Sequence, residues 1–264
     1  MEGHMITAGI SARGVEMTFR VRGSDNTVLQ SLDLEVQAGS FVTLLGPSGC
    51  GKSTLLKILG GILEPTAGSV RIGDEAAADA VKNREIGLVL QRPALMPWKS
   101  ARENVKLLRS IARKDHKNDG PAADAALEMV GLSHAADRLP EQLSGGMAQR
   151  VSIARALAME PTLLLMDEPF GALDAITRDE MNYRLAEIWQ RTGKTIVFVT
   201  HSITEAVFLS DVVHVMAANP GRVIESLEID LPRPRDKRVF DDAQFIEYTN
   251  HLRDQLAPMP GKVA

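Results

Sequence analysis

Apolar residues in this chain come in several rhythms. Short unbroken runs at 41–45, 86–90, 163–166 and 195–200 predict strands buried on both faces. Strict alternation over Val15–Val21 and Val28–Val36, around the turn signal Gly23-Ser24-Asp25-Asn26, predicts half-buried antiparallel strands. Gly68–Gly73 reads as a further short strand, and Val212–Met216 with Arg222–Glu228 as a hairpin around Asn219-Pro220-Gly221. Helical periodicity follows Lys52-Ser53-Thr54 and recurs over Glu103–Ala112, Ala122–Val130 and Met147–Met159, with Asp119-Gly120-Pro121 and Leu139-Pro140 as separators. Glu75–Arg84, rich in alanine and charge, reads as solvated surface, and Leu231–Arg235 as a stiff basic linker. Phe245, Tyr248, Leu252 and Leu256 recur at helical spacing and predict a tail helix packed on the body.

Composition narrows the class. The 264 residues are 44% hydrophobic and 24% charged, which suits a globular α/β protein of one large domain or two lobes. A formal charge of −4 gives no bulk attraction for nucleic acid, so an anionic ligand must be held by local groups. No apolar run reaches the roughly 18 residues that cross a bilayer, and no leader pattern opens the chain, so neither secretion nor membrane insertion is expected. The start, Met1-Glu2-Gly3-His4-Met5, is given no functional weight. The single cysteine, Cys50, excludes a disulfide framework, fits a reducing compartment and is read as a small loop residue.

That cysteine lies in the stretch with the most chemistry. A strand ending at Leu45 breaks at Gly46-Pro47-Ser48-Gly49, and Cys50-Gly51-Lys52-Ser53-Thr54 opens a helix. Gly46, four residues, then Gly51-Lys52-Ser53 is the Walker A spacing, in which bare backbone N–H groups and a helix N-terminus cradle a polyphosphate. Lys52 then reaches the β- and γ-phosphates, and the Ser53 hydroxyl serves Mg²⁺.

Other strands carry polar residues to their carboxyl ends, where ligands of open α/β sheets gather. Gln91 is a candidate for binding Mg²⁺ or positioning water, with the 92–98 segment beside it as a sensor. Asp167 is suited to holding Mg²⁺, and Glu168 to polarising the water that attacks the γ-phosphate. His201 is placed to hydrogen-bond the γ-phosphate. Ser144 caps a helix whose Gly145 and Gly146 bare their amides, a second anion-binding end or an ordinary capped helix. Asp174, in Ala172-Leu173-Asp174, is a candidate for a subunit contact, and Phe19 is either an adenine platform or a core residue. His116, His134, His214 and His251 read as surface or packing residues, and no Cys/His spacing suggests zinc.

GPSGCGKST, the strand end at Gln91, LSGGM at Leu143–Met147, LLLMDEP with ALD, and VTH ending at His201 occur in one order. Together they resemble the ATP-binding subunit of ATP-binding cassette (ABC) transporters from about Val15 to Leu231. The resemblance implies a RecA-like P-loop core with an N-terminal antiparallel β layer and an inserted helical subdomain. It places the β layer and core at 15–98 and 161–231, the helical signature subdomain at 99–160, and a linker and helix at 232–264, all within one domain. It also implies two copies paired head-to-tail around two Mg-ATP, so that Ser144, Gly145 and Gly146 of one meet the γ-phosphate held by Lys52 of the other. An integral membrane permease, a separate substrate-binding protein and a peripheral place on the cytoplasmic face of the inner membrane complete the expectation.

LQRPALMPWKSARENV at 90–105 and DLPRPR at 230–235 resemble the importer branch for nitrate, sulfonates and taurine. Phe19 stands where a tyrosine is often found, and Met147-Ala148-Gln149 varies a stretch usually richer in glutamine. Other transporters, for a vitamin precursor or for export, are the alternative cargo. A soluble cassette protein acting on nucleic acid is disfavoured by the lack of a basic face, and a P-loop kinase has no use for LSGGM.

Overall fold

A computed structural model describes residues 8–21, 23–112, 118–171 and 173–257. Met1–Met5, His116 and Ala172 lie outside them. The chain opens with β1 (Ile10–Val21), β2 (Ser24–Val36), β3 (Phe41–Leu45), α1 (Lys52–Leu59), β4 (Ala67–Ile72), β5 (Glu75–Ala76), α2 (Ala77–Lys82) and β6 (Ile86–Val89). Three helices follow, α3 (Ala101–Ala112), α4 (Asp119–Met129) and α5 (Gly145–Leu157). It ends with β7 (Leu163–Asp167), α6 (Ala175–Thr192), β8 (Thr195–Thr200), α7 (Ile203–Leu209), β9 (Val212–Ala217), β10 (Arg222–Glu228) and α8 (Ala243–Leu256).

Two sheets form. One is antiparallel, in the order β2-β1-β4-β5. The other runs β10-β9-β3-β8-β7-β6, parallel except for the edge strand β10. The unbroken apolar runs are explained by what covers them. Val42, Leu44, Leu163, Leu165, Val197 and Val199 join a core with α1 and the antiparallel sheet. Their neighbours Phe41, Leu45, Leu164, Met166, Ile196 and Phe198 join a second core, built with the helices of the opposite face. With both faces buried, a period-2 pattern has nothing to report.

Several local expectations need correction. The first hairpin is tighter than its turn signal, because β2 already begins at Ser24, paired with Val21, and Gly23 supplies the left-handed φ of 85°. Asp119-Gly120-Pro121 does not separate helices but forms the first turn of α4; proline's missing N–H has no intrahelical acceptor there anyway. Glu75–Arg84 is not all solvated: β5 joins the antiparallel sheet, and Ala77 and Ala80 of α2 are buried. The strand β7 stops at Asp167, so Glu168 is set by a bend at φ 42° and not by strand alternation.

Leu231–Arg235, read as a stiff basic linker, is packed against the body. Arg235 is buried and donates to the carbonyls of Val207, Phe208, Ser210, Ile229 and Leu231. Arg233 pairs with Asp211 at 2.8 Å and stacks with its guanidinium carbon 4.1 Å from the Trp189 ring centroid. A planar guanidinium with five donors can serve several carbonyls at the end of α7, which a basic run read as solvated charge does not reveal. The hairpin of β9 and β10 forms as expected, and β9 also pairs in parallel with β3. Phe245 and Leu252 of α8 are buried.

Candidate nucleotide site

The loop between β3 and α1 is shaped by its glycines. Gly49 and Gly51 take φ of 80° and 95°, a region that L side chains rarely enter. A Cβ on Gly51 would stand 2.7 Å from Leu29 Cδ2, so the antiparallel layer presses on the loop from behind. The helix α1 starts at Lys52 with no side-chain cap, leaving its first N–H groups to a ligand. Lys52 is 5% exposed, and its ammonium donates to the carbonyls of Gly46 at 2.7 Å and Pro47 at 2.9 Å. Cys50 is buried, with its sulfur 3.8 Å from Nζ. A cleft of about 330 Å³ opens over the loop, walled by Ser48, Gly49, Gly51, Lys52, Ser53 and Thr54, by Val28 of β2, and by Gln91 and Glu168.

The parallel strands bring the remaining groups to the same edge. Ser53 Oγ donates to Asp167 Oδ1 at 2.8 Å, joining the helix start to the end of β7. Burial pushes the Asp167 carboxyl up from its ordinary range, opposed by the Ser53 hydrogen bond. Glu168 Oε2 accepts from Gln91 Nε2 at 3.3 Å and lies 3.5 Å from His201 Nδ1. The Glu168 N–H donates to the Val199 carbonyl at 3.0 Å, which holds this residue in its positive-φ conformation. Three strand ends thus converge on one carboxylate.

Phe19, Ser144, Gly145, Gly146 and Asp174, five of the sequence candidates, are not brought to this cleft. Phe19 sits on β1, half-buried against the core, and is absent from the cleft walls. Ser144 caps α5 by accepting from the Met147 N–H at 3.2 Å, and it and Gly145 are exposed. Gly146 is buried, and a Cβ there would meet Thr177 Cγ2 at 2.8 Å. Asp174 caps α6 through the Thr177 N–H and hydroxyl, and these bonds hold its carboxyl below the usual range. The helix start at Ser144 and the loop at Asp174 therefore adjoin each other, away from the phosphate loop's own walls.

Sequence reading missed other positioning groups. Val28 was just one member of an alternating strand. Gln149 donates from α5 to the Leu90 carbonyl at 3.1 Å, and Arg155 to the carbonyls of Pro93 and Ala94 at 2.7 and 2.9 Å. Buried Asn104 of α3 fixes Met96 and Lys99. The 90–99 segment is thereby strapped to the helical insert; the one available signal was a buried-type spacing occupied by polar residues.

The donor set suits the expected ligands. Bare amides, a helix start and a lysine answer a triphosphate, while a hydroxyl, a carboxylate and an amide are the hard oxygen donors Mg²⁺ takes. A cation would also relieve the unfavourable burial of Asp167.

Residues 29–171 match the family described as ABC transporter. The nitrate import ATP-binding protein NrtD of Synechococcus elongatus is 41% identical over 246 residues, 92% of this chain and 89% of that protein. The bicarbonate transport ATP-binding protein CmpD of a Synechocystis species is 40% identical over 254 residues, 95% of this chain and 89% of its own. Among solved structures, the dimeric post-hydrolysis ATP-binding cassette MJ0796, bound to ADP and Pi, superposes with a TM-score of 0.76 at 32% identity. It covers 84% of this chain and 100% of that one. CbiO1 of Clostridium perfringens gives the same TM-score at 28% identity, over 92% and 94% of the two chains. With the phosphate loop, Gln91, Asp167 and Glu168 inside residues 29–171, the chain belongs to the ABC transporter family and is an ATP-hydrolysing subunit of a transporter.

Proposed function

We propose that this chain is the motor of an importer for a small anion such as nitrate, a sulfonate or taurine, working as two copies beside a separate membrane permease. The observation that carries the motor reading is the meeting of Gln91, Glu168 and His201 at the mouth of the Lys52 cleft. The amides of residues 46–54 and Lys52 bind and neutralise the phosphates. Ser53, Asp167 and Gln91 would hold Mg²⁺, which would supply neutralisation of phosphate charge. Glu168 takes the proton of the attacking water, Gln91 orients that water, and His201 holds the γ-phosphate side of the cleft. The chemistry is ATP + H₂O to ADP + phosphate.

Two copies are supported by the exposed helix start at Ser144 and Gly145, an anion-binding end that is not among the walls of the Lys52 cleft. Ser144, Gly145 and Gly146 then close the partner copy's nucleotide, Asp174 lies at the contact, and Phe19 lies toward the adenine. Residues 99–160 act as the signature lobe beside the core. The exposed Trp98 and the strapped 90–99 segment face the permease, which would hold the chain peripherally at the cytoplasmic membrane face, with a binding protein delivering cargo. Among the described residues no helix is long and apolar enough to cross a membrane. The nitrate import and bicarbonate transport relatives favour an anion over a vitamin precursor or an exported cargo.

Deleting the chain in its source cell and growing the strain on sole nitrogen and sole sulfur sources tests cargo and motor together. Loss of growth on one small anion, restored by wild type and not by Glu168→Gln, is the expected result. Unchanged growth across the panel would sink the cargo assignment.

A further inference from the structure

Outside the groups already given roles, a buried carboxyl stands behind His201. Glu205 of α7 is 5% exposed and walls a small pocket shared with Glu168, His201 and Arg178. Its Oε2 accepts from the Thr200 hydroxyl at 2.5 Å, and that same hydroxyl accepts from the Ser202 N–H at 3.0 Å. Thr200 and Ser202 are the two chain neighbours of His201. One buried hydroxyl therefore ties the backbone on both sides of the histidine, and Glu205 anchors the hydroxyl. Ser202 closes the arrangement by accepting from the Glu205 N–H at 3.3 Å.

The anchor continues toward the loop at Asp174. Arg178 Nε is buried without a hydrogen-bond partner and lies 3.8 Å from Glu205 Oε1, while Arg178 Nη2 donates to the Leu173 carbonyl at 2.8 Å. Burial pushes the Glu205 carboxyl up, opposed by the Thr200 hydrogen bond and the nearby Arg178 guanidinium. Glu205 is not among the residues that line the nucleotide cleft, and its hydrogen bonds go to the two chain neighbours of His201.

We infer that Glu205 is a positioning residue for hydrolysis, holding the Thr200–Ser202 segment so that His201 stays beside Glu168, and linking that segment through Arg178 to the loop at Leu173 and Asp174. This rests on the proposed roles of Glu168 and His201. A displacement of about 1 Å at such a centre can cost ~100-fold in rate without touching ground-state binding. The effect belongs in kcat and not in nucleotide affinity.

The test uses the full chain carrying Thr200→Val, Thr200→Ser, Glu205→Ala or Glu205→Gln, with Glu168→Gln as reference. ATP turnover, binding of a fluorescent ATP analogue, and amide hydrogen exchange of the Ser202 N–H are measured on each. Thr200→Val and Glu205→Ala should lower kcat by about tenfold or more, shift analogue affinity by less than about twofold, and speed exchange at Ser202. Thr200→Ser, which keeps the hydroxyl, should restore both turnover and protection, and Glu205→Gln, which keeps an acceptor oxygen, should fall between. Unchanged kcat and exchange in Thr200→Val and Glu205→Ala would overturn the inference, as would a Thr200→Ser variant as impaired as Thr200→Val. If the larger changes prevent folding, the Thr200→Ser and Glu205→Gln pair still decides it. Full turnover in Glu168→Gln would instead sink the proposed function, leaving the exchange result to judge the anchor.

Discussion

The Oε2 atom of Glu168 lies 3.5 Å from Nδ1 of His201, a contact between the ends of two neighbouring parallel strands. Neither residue is inside its strand. Glu168 turns out of β7 at φ 42° and His201 follows β8, so the pairing of β7 with β8 sets where each departs.

Glu168→Gln keeps the shape of that contact and removes the proposed base. Turnover should fall by about 100-fold or more, the usual worth of a positioned base, while ATP binding persists. With ATP and Mg²⁺ the variant should form a stable dimer by light scattering. A monomer, also with the membrane partner supplied, would count against the two-copy mechanism.

Asp167→Asn removes the charge that faces the Ser53 hydroxyl at 2.8 Å. The Mg²⁺ concentration needed for half-maximal turnover should rise by about tenfold or more, because a hard cation prefers a carboxylate to an amide. Metal titration at saturating ATP reads this directly.

Gly51→Ala places a Cβ in the left-handed region and 2.7 Å from Leu29 Cδ2. The backbone penalty alone is about 1–2 kcal/mol. Denaturant unfolding should show at least that loss, with nucleotide affinity reduced as well.

Arg235→Ala leaves five buried carbonyls short of a donor at once. Each unmet group costs about 1–3 kcal/mol, so several kcal/mol of stability should go, and Arg235→Lys should not recover it, because an ammonium lacks the fork. Thermal unfolding of the three forms compares them. A near-neutral Arg235→Ala would return the segment to the status of a linker.

His214 is buried on β9 with Ser226 Oγ at 2.7 Å from Nδ1, and burial lowers its pKa to about 4. An unfolded imidazole binds its proton near pH 6.5, so between about 6.5 and 4 the unfolded state holds more protons. Stability should therefore fall as pH is lowered through that window, by on the order of 3 kcal/mol in full. His214→Gln should flatten that part of the stability profile.

The phosphate loop, the strands that lead to Gln91, Asp167 and His201, and the capped helix at Ser144 were legible in the residues alone. Each is a local matter: glycine frees the backbone where φ is positive, unbroken apolar runs need two covered faces, and a serine before glycines caps a helix. Tertiary packing sets β9 beside β3, makes Arg235 a buried crosslink in a segment that reads as a basic linker, and brings the Glu205 carboxylate to the Thr200 hydroxyl next to His201. Those relations join residues whose own neighbours in sequence carry no trace of the partner. A polar residue reads as solvated until packing removes its water and supplies a carbonyl or a hydroxyl instead.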